Sequence, residues 1–380
     1  MPQTLWTTGS FDDANQGDLA LVAAFCQQDF VNAQDVTLIC EHPERHQQHA
    51  AVVRPPLALG RRFWAGHTAR QTWLRTANSH RPIHGDLTVG LGGLLGHITA
   101  HNRMRLAEWK LLSSMSHRFL YFFGDVGDGF RHDKVARSIV QFWNQQQACI
   151  AVRSMEAADE LSAVGYRGPI HVGLDPVLFD RWQRDFEAGS NDTADAPPII
   201  AIAPCAGHDR LWATWRQFGN TALALGYRVA WVATSDVDVN VCQALMNEMN
   251  ASEGHSHHDL HRQQMIQGEA GETAIRCASA VVASRYHAAI FALAANVPVI
   301  GVPYGAKLDR LFRLLSLEDW CVTNQFNRGV VAERLRHAVE LSELQVKPAV
   351  RQQLMQRHVE SLESVRKFVQ DGLRSGACCA

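Results

Sequence analysis

Residues 280–313 read AVVASRYHAAIFALAANVPVIGVPYGAKLDRLFR. Four small, β-prone residues, Ala280–Ala283, are followed by the turn at Ser284-Arg285. The apolar run from His287 to Ala295 is then too long for an ordinary strand and is read as a helix. Asn296 and Pro298 stop it, Val297–Val302 supplies a second strand, and Pro303 and Gly305 break the chain again. Lys307–Leu314 has the spacing of an amphipathic helix. Strand, helix, strand and helix in immediate succession require crossover connections, and those build a parallel sheet covered by helices.

The same alternation extends over most of the chain. Strands are expected at 4–7, 36–40, 87–90, 118–123, 149–152, 170–172, 199–203 and 228–232, in addition to 280–283 and 297–302. Helices are expected at 18–27, 106–113, 134–146, 155–164, 212–225, 287–295, 307–314 and 350–373. Small and polar residues with two prolines at 188–198 (AGSNDTADAPP) cannot sustain a core and read as a linker. The expected organisation is an N-terminal Rossmann-like domain at 1–187, the linker 188–198, and a second Rossmann-like domain at 199–349. Residues 350–380 are expected to form a helix packing back on the first domain, followed by a frayed tail. Fold class is α/β, with two doubly wound domains facing across a cleft, and ligands belong at the carboxyl ends of the strands.

The 380 residues suit two domains at roughly 150 residues each. Apolar residues make up 46% and charged residues 19%, which excludes disorder along the whole length. Lys and Arg (36) nearly cancel Asp and Glu (38), for a net charge of −2, so a nucleic-acid binder with a basic excess is disfavoured. Nine cysteines with no CxxC pair argue against a disulfide framework or a zinc site and for a reducing compartment. With neither a signal-like N-terminus nor an unbroken apolar run of about 20 residues, the expectation is a cytoplasmic protein without a transmembrane segment.

Candidate chemistry clusters where strands end. Ser284 stands where an N-cap belongs, with Arg285 and His287 in the first turn of the helix. Positive charge is disfavoured there by the helix dipole, a mismatch that a bound phosphate or carboxylate removes. An ordinary surface arginine and a satisfied histidine are the alternative, and the nearby Lys307 favours the anion site. Near the N-terminus, Asn15-Gln16-Gly17-Asp18 opens a helix; Asp18 is read as its cap or as a site residue, and Gly17 permits a close approach. Gly92 and Gly93 lie in a glycine-rich loop without a Walker or dinucleotide spacing. Arg153 ends a strand and Asp175-Pro176 follows another; a solvated arginine and a plain turn are the alternatives to ligand contacts. The run at 255–261 (HSHHDLH) lacks a second ligand group, and no metal is expected.

Taken in order, Asn15-x-Gly17-Asp18, the loop 90–96, Arg153, Asp175-Pro176, Ser284-Arg285-Tyr286-His287, Val297-Pro298, Tyr304 and Lys307-x-Asp309 resemble the polysaccharide pyruvyl transferase family. That resemblance implies a GT-B-like fold and transfer of pyruvate from phosphoenolpyruvate onto two sugar hydroxyls as a cyclic ketal, in polysaccharide or exopolysaccharide biosynthesis. It implies 1–187 as the acceptor side and 199–349 as the phosphoenolpyruvate side, and His287 as the acid, with Arg153, Arg285, Tyr286 and Lys307 on the donor. Asn15, Gly17, Gly92, Gly93 and Asp175 fall to the acceptor or to backbone loops. Asp18 is the candidate base on the attacking hydroxyl. The family's Arg-Asp-x-x-Ser is here Arg153-Ser154-Met155-Glu156-Ala157, and Tyr286 replaces a common Leu. The expected partners are the saccharide and phosphoenolpyruvate as co-substrate, with no cofactor and no nucleic acid; a lipid-linked acceptor would add peripheral membrane contact. The alternatives are a GT-B glycosyltransferase using a nucleotide sugar and a non-catalytic glycan-binding relative.

Overall fold

The computed structural model describes residues 5–8, 15–32, 36–39, 52–53, 87–91, 94–96, 99–113, 116, 118–127, 129–184, 197–251, 262–322, 328–341 and 346–376. The chain forms two compact units: Met1–Asp12, Asp18–Pro176 and Gln353–Ala380 make the first, Asp13–Gly17 and Val177–Gln352 the second. Of the expected linker, only Pro197 and Pro198 lie among the described residues.

In the first unit the strands are β1 (Leu5–Thr8), β2 (Val36–Ile39), β3 (Val52–Val53), β4 (Leu87–Leu91), β5 (Leu94–Leu95), β6 (Phe119–Val126), β7 (Cys149–Val152) and β8 (Ile170–Val172). They pair in parallel in the order β3-β2-β1-β4-β6-β7-β8, with β5 on the end of β6. Alternation along β6 decides the two cores, because successive side chains leave opposite faces. Phe119 and Tyr121 join Trp109 of α2 (Thr99–Ser113), Trp143 of α3 (Ala136–Gln145) and Leu161 of α4 (Met155–Val164). Leu120 and Phe122 join Phe25 of α1 (Gln16–Cys26) and Val365 and Val369 of the last helix, Pro348–Gly376. With both faces covered, β4 and β6 are buried along their whole length, as parallel strands between helices must be.

The second unit holds β9 (Ile199–Ala203), β10 (Arg228–Ala233), β11 (Gln263–Gln267), β12 (Ala280–Ala283) and β13 (Val299–Gly301), all parallel, in the order β11-β10-β9-β12-β13. Its helices, continuing the numbering, are α5 (Pro176–Gln183, which starts at the unit boundary), α6 (Trp212–Ala224), α7 (Val239–Ala251), α8 (Glu269–Arg276), α9 (Tyr286–Ala294), α10 (Ala306–Leu314) and α11 (Arg328–Leu341); the last helix is α12. Trp215, Phe218, Trp231, Met249 and Leu335 fill one face of the sheet. Helix α9 is buried at every position, which suits a helix that is apolar on all sides.

The expected parallel α/β architecture with two sheets is what the chain adopts. Four strands, 149–152, 170–172, 199–203 and 280–283, have their expected bounds. Asp175-Pro176 is a helix start rather than only a turn: proline tolerates the first helical position because its missing N–H would have no partner there.

Candidate functional site

In the second unit the chain leaves β9 and β12, which are neighbours, toward opposite sides of the sheet order. Such a reversal opens a crevice at the carboxyl ends of the strands. The segments that follow these ends carry Cys205 and His208 after β9, Thr234 and Asp238 after β10, Ser284 and Arg285 after β12, and Tyr304 and Lys307 after β13.

Arg285 occupies the N-cap of α9 with an extended backbone (φ −72°, ψ 130°). Its Nε donates to Asp238 Oδ2 at 2.7 Å and its Nη2 donates to Oδ1. Asp238 is completely buried, while the Arg285 side chain is 20% exposed. Burial opposes the guanidinium charge, but the hydrogen bonds and charge of Asp238 outweigh it, so the Arg285 pKa lies above its ordinary value. Asp238 Oδ1 also accepts from the Ala206 amide at 2.9 Å. One carboxylate thereby ties together segments that follow three different strands.

Ser284 is not the N-cap that its position suggested. Its hydroxyl accepts from Trp215 Nε1 of α6 at 2.8 Å, and Arg285 takes the cap position with no side-chain capping bond. A buried indole N–H needs an acceptor, and Ser284 is the one supplied. The capping expectation for Asp18 is corrected in the same way. Helix α1 begins at Gln16, and Asn15 Oδ1 accepts from the Gly17 amide at 3.0 Å, leaving Asp18 buried inside the first turn.

His287 is 7% exposed, in the first turn of α9. Its ring lies 5.3 Å from the Tyr286 ring in edge-on contact, and an added Cβ at Gly17 would fall on its Nδ1 and Cγ atoms. The close approach that Gly17 permits is therefore filled by His287. The Gln16 amide donates to Thr234 O at 3.0 Å, fixing this short N-terminal segment to the end of β10. Lys307 Nζ stands 4.4 Å from the Tyr286 ring centroid, a cation–π arrangement.

The Tyr304 ring stacks on His208 at 4.0 Å, and its backbone oxygen accepts from Arg210 Nη2 at 2.5 Å. Burial, reinforced by Cys205, pushes the Tyr304 phenol up to about 12. The Cys205 thiol is pushed up to about 11, chiefly by burial, so it is no ready thiolate. Burial, with Arg210 and Arg285 nearby, lowers the pKa of His208 and favours its neutral form. Asn15, Gly17, Arg285, Tyr286, His287 and Lys307 thus belong to the second unit.

Arg153, Asp175 and Asp18 belong to the first unit. Arg153 is only 4% exposed; its Nη1 pairs with Asp175 Oδ2 at 2.7 Å and its Nε donates to Phe123 O at 2.5 Å, where β6 shifts register. It is not the solvated arginine that served as its alternative reading. Ser154 caps α4, its hydroxyl accepting from the Ala157 amide at 3.1 Å. Gly92, Gly93 and the histidine-rich run at 255–261 lie outside the described residues.

Asp238, Cys205, His208 and Arg210 were not singled out from the sequence. The run Thr234-Ser235-Asp236-Val237-Asp238 after a strand marks a loop, but nothing local distinguishes Asp238 from Asp236. Among the described residues, no group of three or more His, Cys, Asp or Glu side chains could hold a metal, and no helix is long and apolar enough to cross a membrane.

Residues 126–305 match the family model described as Polysaccharide pyruvyl transferase. No curated protein matches the sequence. Among solved structures, the UDP-bound TcCGT1 is similar with a TM-score of 0.57 at 10% identity, over 98% of this chain and 100% of that one. The UDP-GlcNAc 2-epimerase of Methanocaldococcus jannaschii gives 0.56 at 10% identity, covering 89% and 92%. A putative UDP-N-acetylglucosamine 2-epimerase from Listeria monocytogenes gives 0.54 at 9% identity, covering 94% and 91%. At these identities the likeness concerns the fold alone, which is of the GT-B type.

Proposed function

We propose that this chain, whose residues 126–305 match the polysaccharide pyruvyl transferase model, belongs to that family, and that it transfers the pyruvate of phosphoenolpyruvate onto two hydroxyls of a saccharide as a cyclic ketal and releases phosphate. The observation that carries this reading is that the matched segment ends on β12, α9 and β13, where Arg285, His287 and Tyr304 stand at the carboxyl edge of a parallel sheet. Arg285 and the amino end of α9 suit an anion, and Lys307 lies on the following helix.

In this reading, an acid protonates the methylene carbon of phosphoenolpyruvate and C2 becomes oxocarbenium-like. The first sugar hydroxyl adds to C2 and gives its proton to a base. The bond from C2 to the phosphate oxygen then breaks, phosphate departs, and the second hydroxyl closes the ketal, returning its proton to the acid that protonated the methylene carbon. His287 is assigned as the acid, and Asp18 remains the nominated base. Arg285, Tyr286 and Lys307 are assigned to the donor; Arg153 is assigned there by resemblance. No cofactor beyond the co-substrate is invoked, and glycan biosynthesis in the cytoplasm is the setting this chemistry implies.

Incubation with phosphoenolpyruvate and a glycan panel should release phosphate only when acceptor is present, with a product mass gain matching a ketal. His287→Gln should lose at least about 10²-fold in rate while still binding donor. Turnover that depends instead on a UDP- or GDP-sugar would identify a glycosyltransferase, and glycan binding without donor consumption a non-catalytic relative.

A further inference from the structure

Arg285 spends one side of its guanidinium on Asp238: Nε and Nη2 donate to its two oxygens, and among the described residues Nη1 makes no hydrogen bond. A guanidinium is planar and presents its donors as a fixed fork, so holding one side determines where the others point. Asp238 is itself immobilised. It is completely buried, accepts from the Ala206 amide at 2.9 Å, and donates its own amide to Ser235 O at 2.9 Å. Arg285 would otherwise be a long side chain with many rotamers at the start of a helix. Its backbone is in turn fixed next to Ser284, whose amide donates to Ala203 O at 3.0 Å on β9.

We infer that Asp238 is a positioning residue, one that fixes Arg285 so that its remaining N–H groups meet the anionic donor in one orientation; this rests on the transferase reading above. The charge balance gives the idea a distinctive signature. The Asp238 carboxylate cancels the Arg285 charge, so it works against bulk attraction of an anion while enforcing geometry. A residue that merely held up the fold would affect the folded fraction and leave the folded enzyme's kinetics alone.

Asp238→Asn should therefore bind phosphoenolpyruvate as tightly as the parent chain or more tightly, by calorimetry, while kcat falls about 10²-fold, the scale of a 1 Å misplacement. Asp238→Glu keeps the charge but adds one methylene; it should lower kcat with the donor dissociation constant within about twofold of the parent, and it decides the matter if the Asn variant does not fold. A kcat per folded molecule close to the parent's in either variant, or donor binding lost in step with turnover, overturns the inference. A parent protein that neither binds nor consumes phosphoenolpyruvate rejects the transferase reading instead. In that event the Arg285 Nε–H resonance decides: protection from exchange in the donor-free parent and its loss in Asp238→Asn support the positioning role, and free exchange in the parent rejects it.

Discussion

At the scale of single residues, the close contacts are made by short or buried groups. Gly17 has no Cβ because the His287 ring occupies that space. Gly17→Ala should push the ring aside and, if His287 is the acid, reduce phosphate release at least about 10²-fold, with donor binding retained in calorimetry. Arg153 and Asp175 show the opposite economy, two charges buried against each other in the first unit. Removing one breaks a buried ion pair, at a cost of about 3–5 kcal/mol. Arg153→Met should therefore lower denaturant stability by that amount, and adding Asp175→Leu should recover much of it. An exposed arginine would show neither effect.

At the scale of elements, legibility followed how local the deciding contact is. Strands β7, β9 and β12 are short apolar runs and β8 lies between Pro169 and Gly173, and their bounds could be read directly. Strand β11, with the sequence QQMIQ, could not: it lies at the edge of its sheet, is only partly buried, and has just two apolar residues. Helix α9 was legible as a helix, but its start was misjudged because the Ser284 hydroxyl is claimed by Trp215 on α6. That bond is testable as a coupling. Ser284→Ala should cost about 1–3 kcal/mol by stranding a buried donor. The same change in a Trp215→Phe background should cost less, whereas a capping role would make the two losses add. Of the candidate site, Arg285 and His287 could be singled out from the sequence because charge at the start of an apolar helix is conspicuous, and Lys307 because it follows the next strand closely. Asp238 could not, because its value lies in meeting Arg285 and Ala206 across loops.

At the scale of the whole molecule, stability carries a pH dependence of definite sign. His358 of α12 is buried against Phe123, with ring centroids 4.4 Å apart; its Nδ1 accepts from the Leu174 amide at 3.0 Å, and burial holds its pKa down to about 3 from 6.5. The unfolded chain takes up that proton at about pH 6.5 and the folded chain does not, so the contribution is complete above that value. It declines as pH falls toward 3, at up to about 1.4 kcal/mol per pH unit. Urea midpoints measured between pH 4 and 7 should show this slope, and His358→Gln should flatten it. Helix α12 has a second effect, on synthesis. The first unit takes most of its residues from before Pro176 and the remainder from Gln353 onward. Val365 and Val369, together with the Phe368 and Val369 carbonyls that accept from Arg118, reach its sheet only in that last stretch. A ribosome must therefore translate the entire second unit before the first can close its core. A chain cut after residue 352 should expose the α1 side of that sheet to hydrophobic dyes and to proteases, making this half of the molecule the last to become resistant as the nascent polypeptide emerges.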